Sequence, residues 1–241
     1  MKGVRAVLFD AGGTLLSIDG ERICRTAGIG FENAAFRRAE AAAIGAVRAL
    51  VLERPDSRDA ERLPLYFGTM LEVLGVGDRS ARQAAFGRIA AEHGRANLWS
   101  RPVEGAEATL DALRRRGYRV AVVSNADGRV RGLLEAAGLG VHLEFVIDSA
   151  EVGVEKPDVR IFHAATGRLG LEPAACAYVG DIYEIDVAGA AAAGLHPILI
   201  GDGPATGPVL RVPDLPSLLA VFGRSDPNPG PAREERHDIP S

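Results

Sequence analysis

Lysine is almost missing from this chain. Of 28 basic residues in 241, only Lys2 and Lys156 are lysine, and the rest are arginine. Where only charge matters, Arg has replaced Lys, so a lysine kept inside the chain asks for a reason. Cysteine is as scarce: Cys24 and Cys176 are the whole complement. That excludes a disulfide scaffold and suits a reducing compartment. No apolar run approaches about 20 residues, which excludes a membrane-spanning helix. The short apolar stretch over residues 4–9, before Asp10, does not make a signal peptide. A cytoplasmic protein is therefore expected. A net charge of −4 gives no reason to expect a nucleic-acid partner.

What is present is ordinary for a folded chain. Hydrophobic residues make up 47% and charged residues 25%, which excludes wholesale disorder. A chain this long buries most of its apolar surface without staples. Short runs rich in β-branched and aromatic residues recur at 4–9, 118–124, 144–147, 175–180 and 197–200. Between them, residues 105–116, 128–137, 159–169 and 185–193 space their apolar positions for one helical face. Strand alternating with helix predicts an α/β fold, a Rossmann-like parallel sheet with helices on both faces.

Residues 17–98 break the alternation. They carry helical periodicity over 31–52, 60–74 and 80–93 and no convincing strand. They read as an all-helical cap inserted after the first strand, with hinges near Leu16 and Arg101-Pro102. Residues 1–16 and 99–224 then form the catalytic core. Such a cap lies over the carboxyl end of the sheet, where ligands bind in open α/β folds, and is placed to act as a lid. Residues 225–241, rich in Pro and charge, read as a disordered tail.

Four motifs fall at strand ends. AVLFDAGGTLL puts Asp10 after the first strand, followed by Gly12, Gly13 and Thr14. Asp10 suits a nucleophile, a Mg²⁺ ligand or a turn cap. VVSNADG places Ser124 and Asn125 before a helix start, a natural phosphate site or a plain cap. Lys156-Pro157-Asp158 offers a compact point charge, which Arg does not replace. YVGDIYEIDVAGAAAAG sets Asp181 at a strand end and Asp186 at the start of an Ala-rich helix; two carboxylates there suit a hard cation. Each motif alone also reads as ordinary turn chemistry. Their order and their shared position make the set specific.

In that order the motifs resemble those of the haloacid dehalogenase-like hydrolases, over nearly the whole chain up to about Phe222. The insertion directly after the first motif is similar to the subgroup with a helical cap, and Gly180-Asp181 with Asp186 to its magnesium-dependent phosphatases. The resemblance implies that Asp10 attacks phosphorus to give an aspartyl-phosphate. It implies Mg²⁺ held through Asp10, the Gly12 carbonyl and the Asp181–Asp186 motif. Gly13, Thr14, Ser124, Asn125 and Lys156 would hold a small phosphorylated substrate, and Asp186 would orient Lys156 or a water.

One position departs from the pattern. The phosphatases carry a second Asp two residues after the nucleophile as general acid and base, and here that position is Gly12. General acid–base catalysis contributes about 10²–10⁴-fold. Its loss points to a substrate with a good leaving group, to a proton from Asp19, Glu21 or His93, or to slow turnover. Two alternatives follow: a low-activity binding or regulatory module on the same fold, and a metal-independent haloacid dehalogenase. The lysine-free cap argues against a Schiff-base route.

Overall fold

The apolar run that opens the chain folds as β1 (Ala6–Phe9), with all four side chains buried. The computed structural model describes residues 1–223; the expected tail over residues 225–241 lies outside the described residues. After β1 come β2 (Leu16–Ile18) and four helices, α1 (Gly20–Ala27), α2 (Asn33–Glu53), α3 (Asp59–Val73) and α4 (Arg79–Arg95). The chain returns through β3 (Trp99–Pro102) and α5 (Ala106–Arg115). Next are β4 (Arg119–Ser124), α6 (Val130–Ala136), β5 (Val146–Asp148), α7 (Ser149–Val152) and α8 (Val159–Leu169). The last described part is β6 (Cys176–Gly180), a π-helical turn (Tyr183–Val187), α9 (Ala188–Ala192), β7 (His196–Ile200), β8 (Leu210–Val212) and α10 (Leu215–Leu218).

The main sheet runs β5-β4-β1-β6-β7-β8, and every pairing in it is parallel. Because successive strand residues point to opposite faces, β1 feeds two cores. Val7 and Phe9 join Leu110, Leu113 and Leu134 on one side. Ala6 and Leu8 join Ile161, Phe162 and Ala190 on the other. This is the Rossmann-like α/β arrangement the alternation predicts. β1 has β4 on one flank and β6 on the other. That reversal of strand order opens a crevice at the carboxyl ends, the usual ligand position in such sheets.

The insertion has its own apolar core, with Ala39 and Ala43 on one face of α2 packed among Phe67, Met70 and Leu71 of α3 and Ile89 of α4. It differs from the sequence expectation in two ways. A fourth helix, α1, is present: Asp19 caps it by accepting the Arg22 N–H, and Gly28 closes it in the left-handed region. The passage in and out is also not helical. β2 and β3 pair antiparallel, Leu16 opposite Pro102 and Ile18 opposite Trp99. Strands of three and four residues, one of them exposed and ending in Pro, carry no readable alternation. β8 and α10 are likewise too short to show a period. Among the described residues no helix is long and apolar enough to cross a membrane.

Candidate active site

The strand ends bring the four motifs together. Asp10 follows β1, its N–H held by the Val179 carbonyl of β6 at 2.9 Å. Lys156, in the loop before α8, reaches under it. Its Nζ donates to Asp10 Oδ1 at 2.7 Å, Asp186 Oδ1 at 2.7 Å and the Tyr178 hydroxyl at 2.9 Å. An ammonium has three donors, and all three are used, with the side chain only 2% exposed. Burial alone would lower the Lys156 pKa; Asp10 and Asp186 overcome it and hold Lys156 well above its ordinary value. The loop is fixed by Asn125, whose Oδ1 accepts the Lys156 N–H at 2.7 Å while its Nδ2 donates to the Lys156 carbonyl at 3.1 Å. Arg62 of α3 donates to the same carbonyl at 3.1 Å.

Asp186 has both oxygens engaged: Oδ1 by Lys156 and Oδ2 by the Ile182 N–H at 3.0 Å. Asp181 is different. Its one side-chain partner among the described residues is the Thr14 hydroxyl, a long contact of 3.4 Å. Asp10, Asp181 and Asp186 each offer an oxygen within 4.8 Å of the others. Burial and the neighbouring charges of Asp186 and Asp10 push the Asp181 carboxyl well up. Burial also raises Asp10, to about 6, against the opposing pull of Lys156. Fully ionised, three carboxylates around one ammonium would carry a surplus of two negative charges in a buried place; the raised Asp10 and Asp181 carboxyls reflect that cost, which a bound cation would offset. The donor set, carboxylate oxygens in a compact cluster, fits a hard divalent cation.

Glycine makes the cluster possible. Gly13 sits at φ +78°, and a Cβ there would stand 2.3 Å from Asp181 Oδ2. Its N–H is spent on the Leu16 carbonyl at 2.8 Å, so Gly13 contributes room for Asp181 instead of a donor for substrate. Gly180 gives Asp186 the same room, since a Cβ there would meet Asp186 Cβ at 2.4 Å. Ser124 is buried at the end of β4 and lines the same cavity.

That cavity, about 270 Å³, lies between the strand ends and the insertion. Asp10, Gly12, Ser124, Asn125, Lys156 and Asp181 form its floor, and Glu40, Ile44, Val47, Leu63 and Tyr66 come from α2 and α3. Of the three proton donors suggested by sequence, Asp19 and Glu21 are both taken by Arg101, at 3.0 and 3.2 Å. His93 reaches the cavity wall, but its Nδ1 accepts the Leu98 N–H at 3.3 Å and its Nε2 faces Asp127 at 3.2 Å. Sequence reasoning missed Tyr178, Trp99 and the buried pair of Arg48 on α2 with Glu184 in the π-helical turn, at 2.5 Å. Trp99 had a signal, being the single tryptophan of the chain.

Fold and site together define a Rossmann-like α/β enzyme with an acidic cluster and a buried lysine at its strand ends. A family model of the haloacid dehalogenase-like hydrolases matches residues 4–194, and the chain belongs to that family. It is 43% identical over 129 residues to the bovine (Bos taurus) haloacid dehalogenase-like hydrolase domain-containing protein 3, covering 52% of this chain and 51% of that one. The chain thus spans about half the length of the bovine and human relatives of that name. It is 29% identical over 201 residues to a glyceraldehyde 3-phosphate phosphatase of Methanothermobacter thermautotrophicus, covering 82% of this chain and 85% of that one. A dehalogenase crystal structure superposes with a TM-score of 0.68 at 22% identity, covering 93% of this chain and all of that one. At that identity the likeness is one of fold.

Proposed function

We propose that this hydrolase is a magnesium-dependent phosphomonoesterase acting on a small phosphorylated metabolite, with Asp10 as nucleophile. The carrying observation is the compact buried cluster of Asp10, Asp181 and Asp186 around one ammonium, whose carboxylates outnumber their cation by two when ionised and would be balanced by a divalent cation. The phosphatase relative supports the same class.

Asp10 Oδ1 is held by Lys156, which leaves Oδ2 to attack phosphorus and form an aspartyl-phosphate. The Asp10 and Asp181 carboxylates and the Gly12 carbonyl would hold the cation, which when bound supplies Lewis-acid charge at the phosphoryl oxygens. Lys156 offsets repulsion between Asp10 and a dianionic substrate. Thr14 and Ser124 supply hydroxyls where charge spreads over the phosphoryl group. Asp186 positions Lys156, and Asn125 locks the loop that carries it. The helical insertion caps the site and excludes water.

The test is turnover of p-nitrophenyl phosphate and acetyl phosphate with Mg²⁺ and with EDTA. Hydrolysis is expected with Mg²⁺ and lost in EDTA, and Asp10→Asn is expected to abolish it. Full turnover by Asp10→Asn would remove the nucleophile assignment, and EDTA-resistant release of halide from a 2-haloacid would favour dehalogenation.

A further inference from the structure

We propose that Trp99 occupies the place where a proton donor would stand over Gly12. It thereby restricts this enzyme to phosphate carried on an acidic leaving group with an apolar body, a phenol or a carboxylic acid. The inference rests on the phosphomonoesterase reading above.

The geometry at Gly12 carries it. A Cβ added there would stand 3.3 Å from Trp99 Cδ1 and 3.5 Å from Nε1, and the three nearest heavy atoms all belong to the indole. The ring is held in place. Tyr66, Phe67 and His93 pack against it with centroids 5.9, 6.0 and 5.9 Å away. A side chain leaving Gly12 along its Cβ direction therefore runs into the indole, although Gly12 itself still faces the cavity.

The chemistry of the indole decides the substrate. An indole N–H donates a hydrogen bond but does not give up its proton. Among the described residues Trp99 Nε1 has no hydrogen-bond partner, so it is free to stabilise a developing anion. Most neighbouring groups are engaged elsewhere: His93 uses both ring nitrogens, Lys156 all three donors, and Asp59 faces Arg62 at 3.4 Å. Glu40 on α2 accepts from the Tyr66 hydroxyl at 3.4 Å through one oxygen, and it is the carboxyl that the leaving-group series below tests as an alternative donor. On the insertion side the cavity walls are mostly apolar, with Ile44, Val47, Leu63, Tyr66 and Trp99, although Glu40, Asp59 and His93 also reach them.

The reaction balances without a general acid only for one kind of leaving group. As an Asp10 oxygen bonds to phosphorus, the bond from phosphorus to the leaving oxygen breaks. The electron pair stays on that oxygen, which departs as a phenolate or carboxylate with no proton added. A water oxygen then bonds to phosphorus, the bond to Asp10 breaks, and the water's proton passes to phosphate and solvent. Asp10 is itself a carboxylate leaving group, so this second step needs no acid either. An alkoxide cannot leave on these terms.

The test is kcat/KM for the unmodified protein with Mg²⁺ across p-nitrophenyl phosphate, phenyl phosphate, acetyl phosphate and glycerol phosphate, which separates phenolic, acyl and alkyl sources. The alkyl ester is expected to fall at least about 100-fold below the acidic ones, the scale of a missing general acid. Gly12→Asp alone is expected to gain less than about tenfold on glycerol phosphate because the indole blocks the new carboxylate, whereas Trp99→Ala with Gly12→Asp gains about 100-fold. Equal kcat/KM across the series would overturn the inference and point to a donor such as Glu40. So would a full gain from Gly12→Asp alone. No turnover of any phosphate would defeat the phosphatase reading and this inference with it, while turnover insensitive to the leaving group defeats this inference alone. The leaving-group series needs no variant, so it decides even where the double variant fails to fold.

Discussion

The Lys156 ammonium stands 2.7 Å from Asp10 Oδ1, with the two side chains 2% and 11% exposed. The pair is a buried one, and its third member, Asp186, draws the same Nζ at 2.7 Å from the other side. A guanidinium is planar and larger, and it cannot serve three acceptors converging on one point. Lys156→Arg is therefore expected to fold and to lose at least about 100-fold in kcat, the scale of removing one preorganised donor. Lys156→Met leaves buried carboxylates unpaired and is expected to cost about 3–5 kcal/mol in urea unfolding. An Arg variant with full turnover would show that only charge matters at this position. In a chain that uses arginine almost everywhere, this geometry is why one internal lysine stays.

Removing the room that glycine provides is expected to break the acidic cluster. Gly13→Ala forces an L side chain to φ +78°, which costs about 1–2 kcal/mol. It also drives a methyl to 2.3 Å from Asp181 Oδ2, so Asp181 must move off its position. On the magnesium-dependent reading proposed above, Mg²⁺ is expected to raise the melting temperature of the unmodified protein, and the variant is expected to lose that rise together with turnover. Retention of both would show that Asp181 can hold a cation from elsewhere.

How much of this is legible in the sequence follows from the period and length of each element. Strands buried on both faces are continuous apolar runs, and so β1, β4 and β6 can be read, with Asp10, Ser124 and Asp181 at their ends. β2 and β3 are too short, and their pairing joins residues far apart in the chain. Tyr178 lies in the middle of an apolar strand, where an aromatic reads as core. Only its hydroxyl, 2.9 Å from Lys156 Nζ, makes it part of the site. The contact between Trp99 and Gly12 depends on how α3 and α4 pack, which no local pattern encodes. The order of the motifs is written in the sequence; what stands above Gly12 is not.

Cys176 provides a pH test away from the site. It is fully buried in β6, and burial pushes its thiol from 9.0 up to about 11. The folded state therefore holds this proton more tightly than the unfolded chain does. Its contribution to stability is complete below pH 9 and is lost as pH rises from 9.0 through about 11. Unfolding free energy is expected to fall over that window and to fall less steeply in Cys176→Ala. At pH 8 neither native cysteine is expected to react with a thiol reagent within minutes, since Cys24 is buried as well, and both should react in denaturant. Fast labelling of the native protein would contradict the buried positions.

The insertion is tied to the strand ends by Arg48 and Glu184. Nε and Nη2 of Arg48 meet the two Glu184 oxygens at 2.5 and 2.7 Å, and both contacts are buried. Glu184 lies in the π-helical turn between Asp181 and Asp186, so α2 is coupled to the segment that carries the acidic cluster. Breaking one partner of such a pair strands a buried charge, and Arg48→Met is expected to cost about 3–5 kcal/mol. Replacing both partners by apolar residues of similar volume removes the stranded charge, so Arg48→Met with Glu184→Leu is expected to recover most of that loss. Urea unfolding of the two single variants and the double variant measures the coupling. The kinetic readout separates stability from positioning. If the pair aligns the π-helical turn, the double variant regains its melting temperature but keeps a reduced kcat, because stability no longer needs the charges while Asp181 and Asp186 still need the turn held in place. Recovery of kcat together with stability would show that the pair only fastens the insertion.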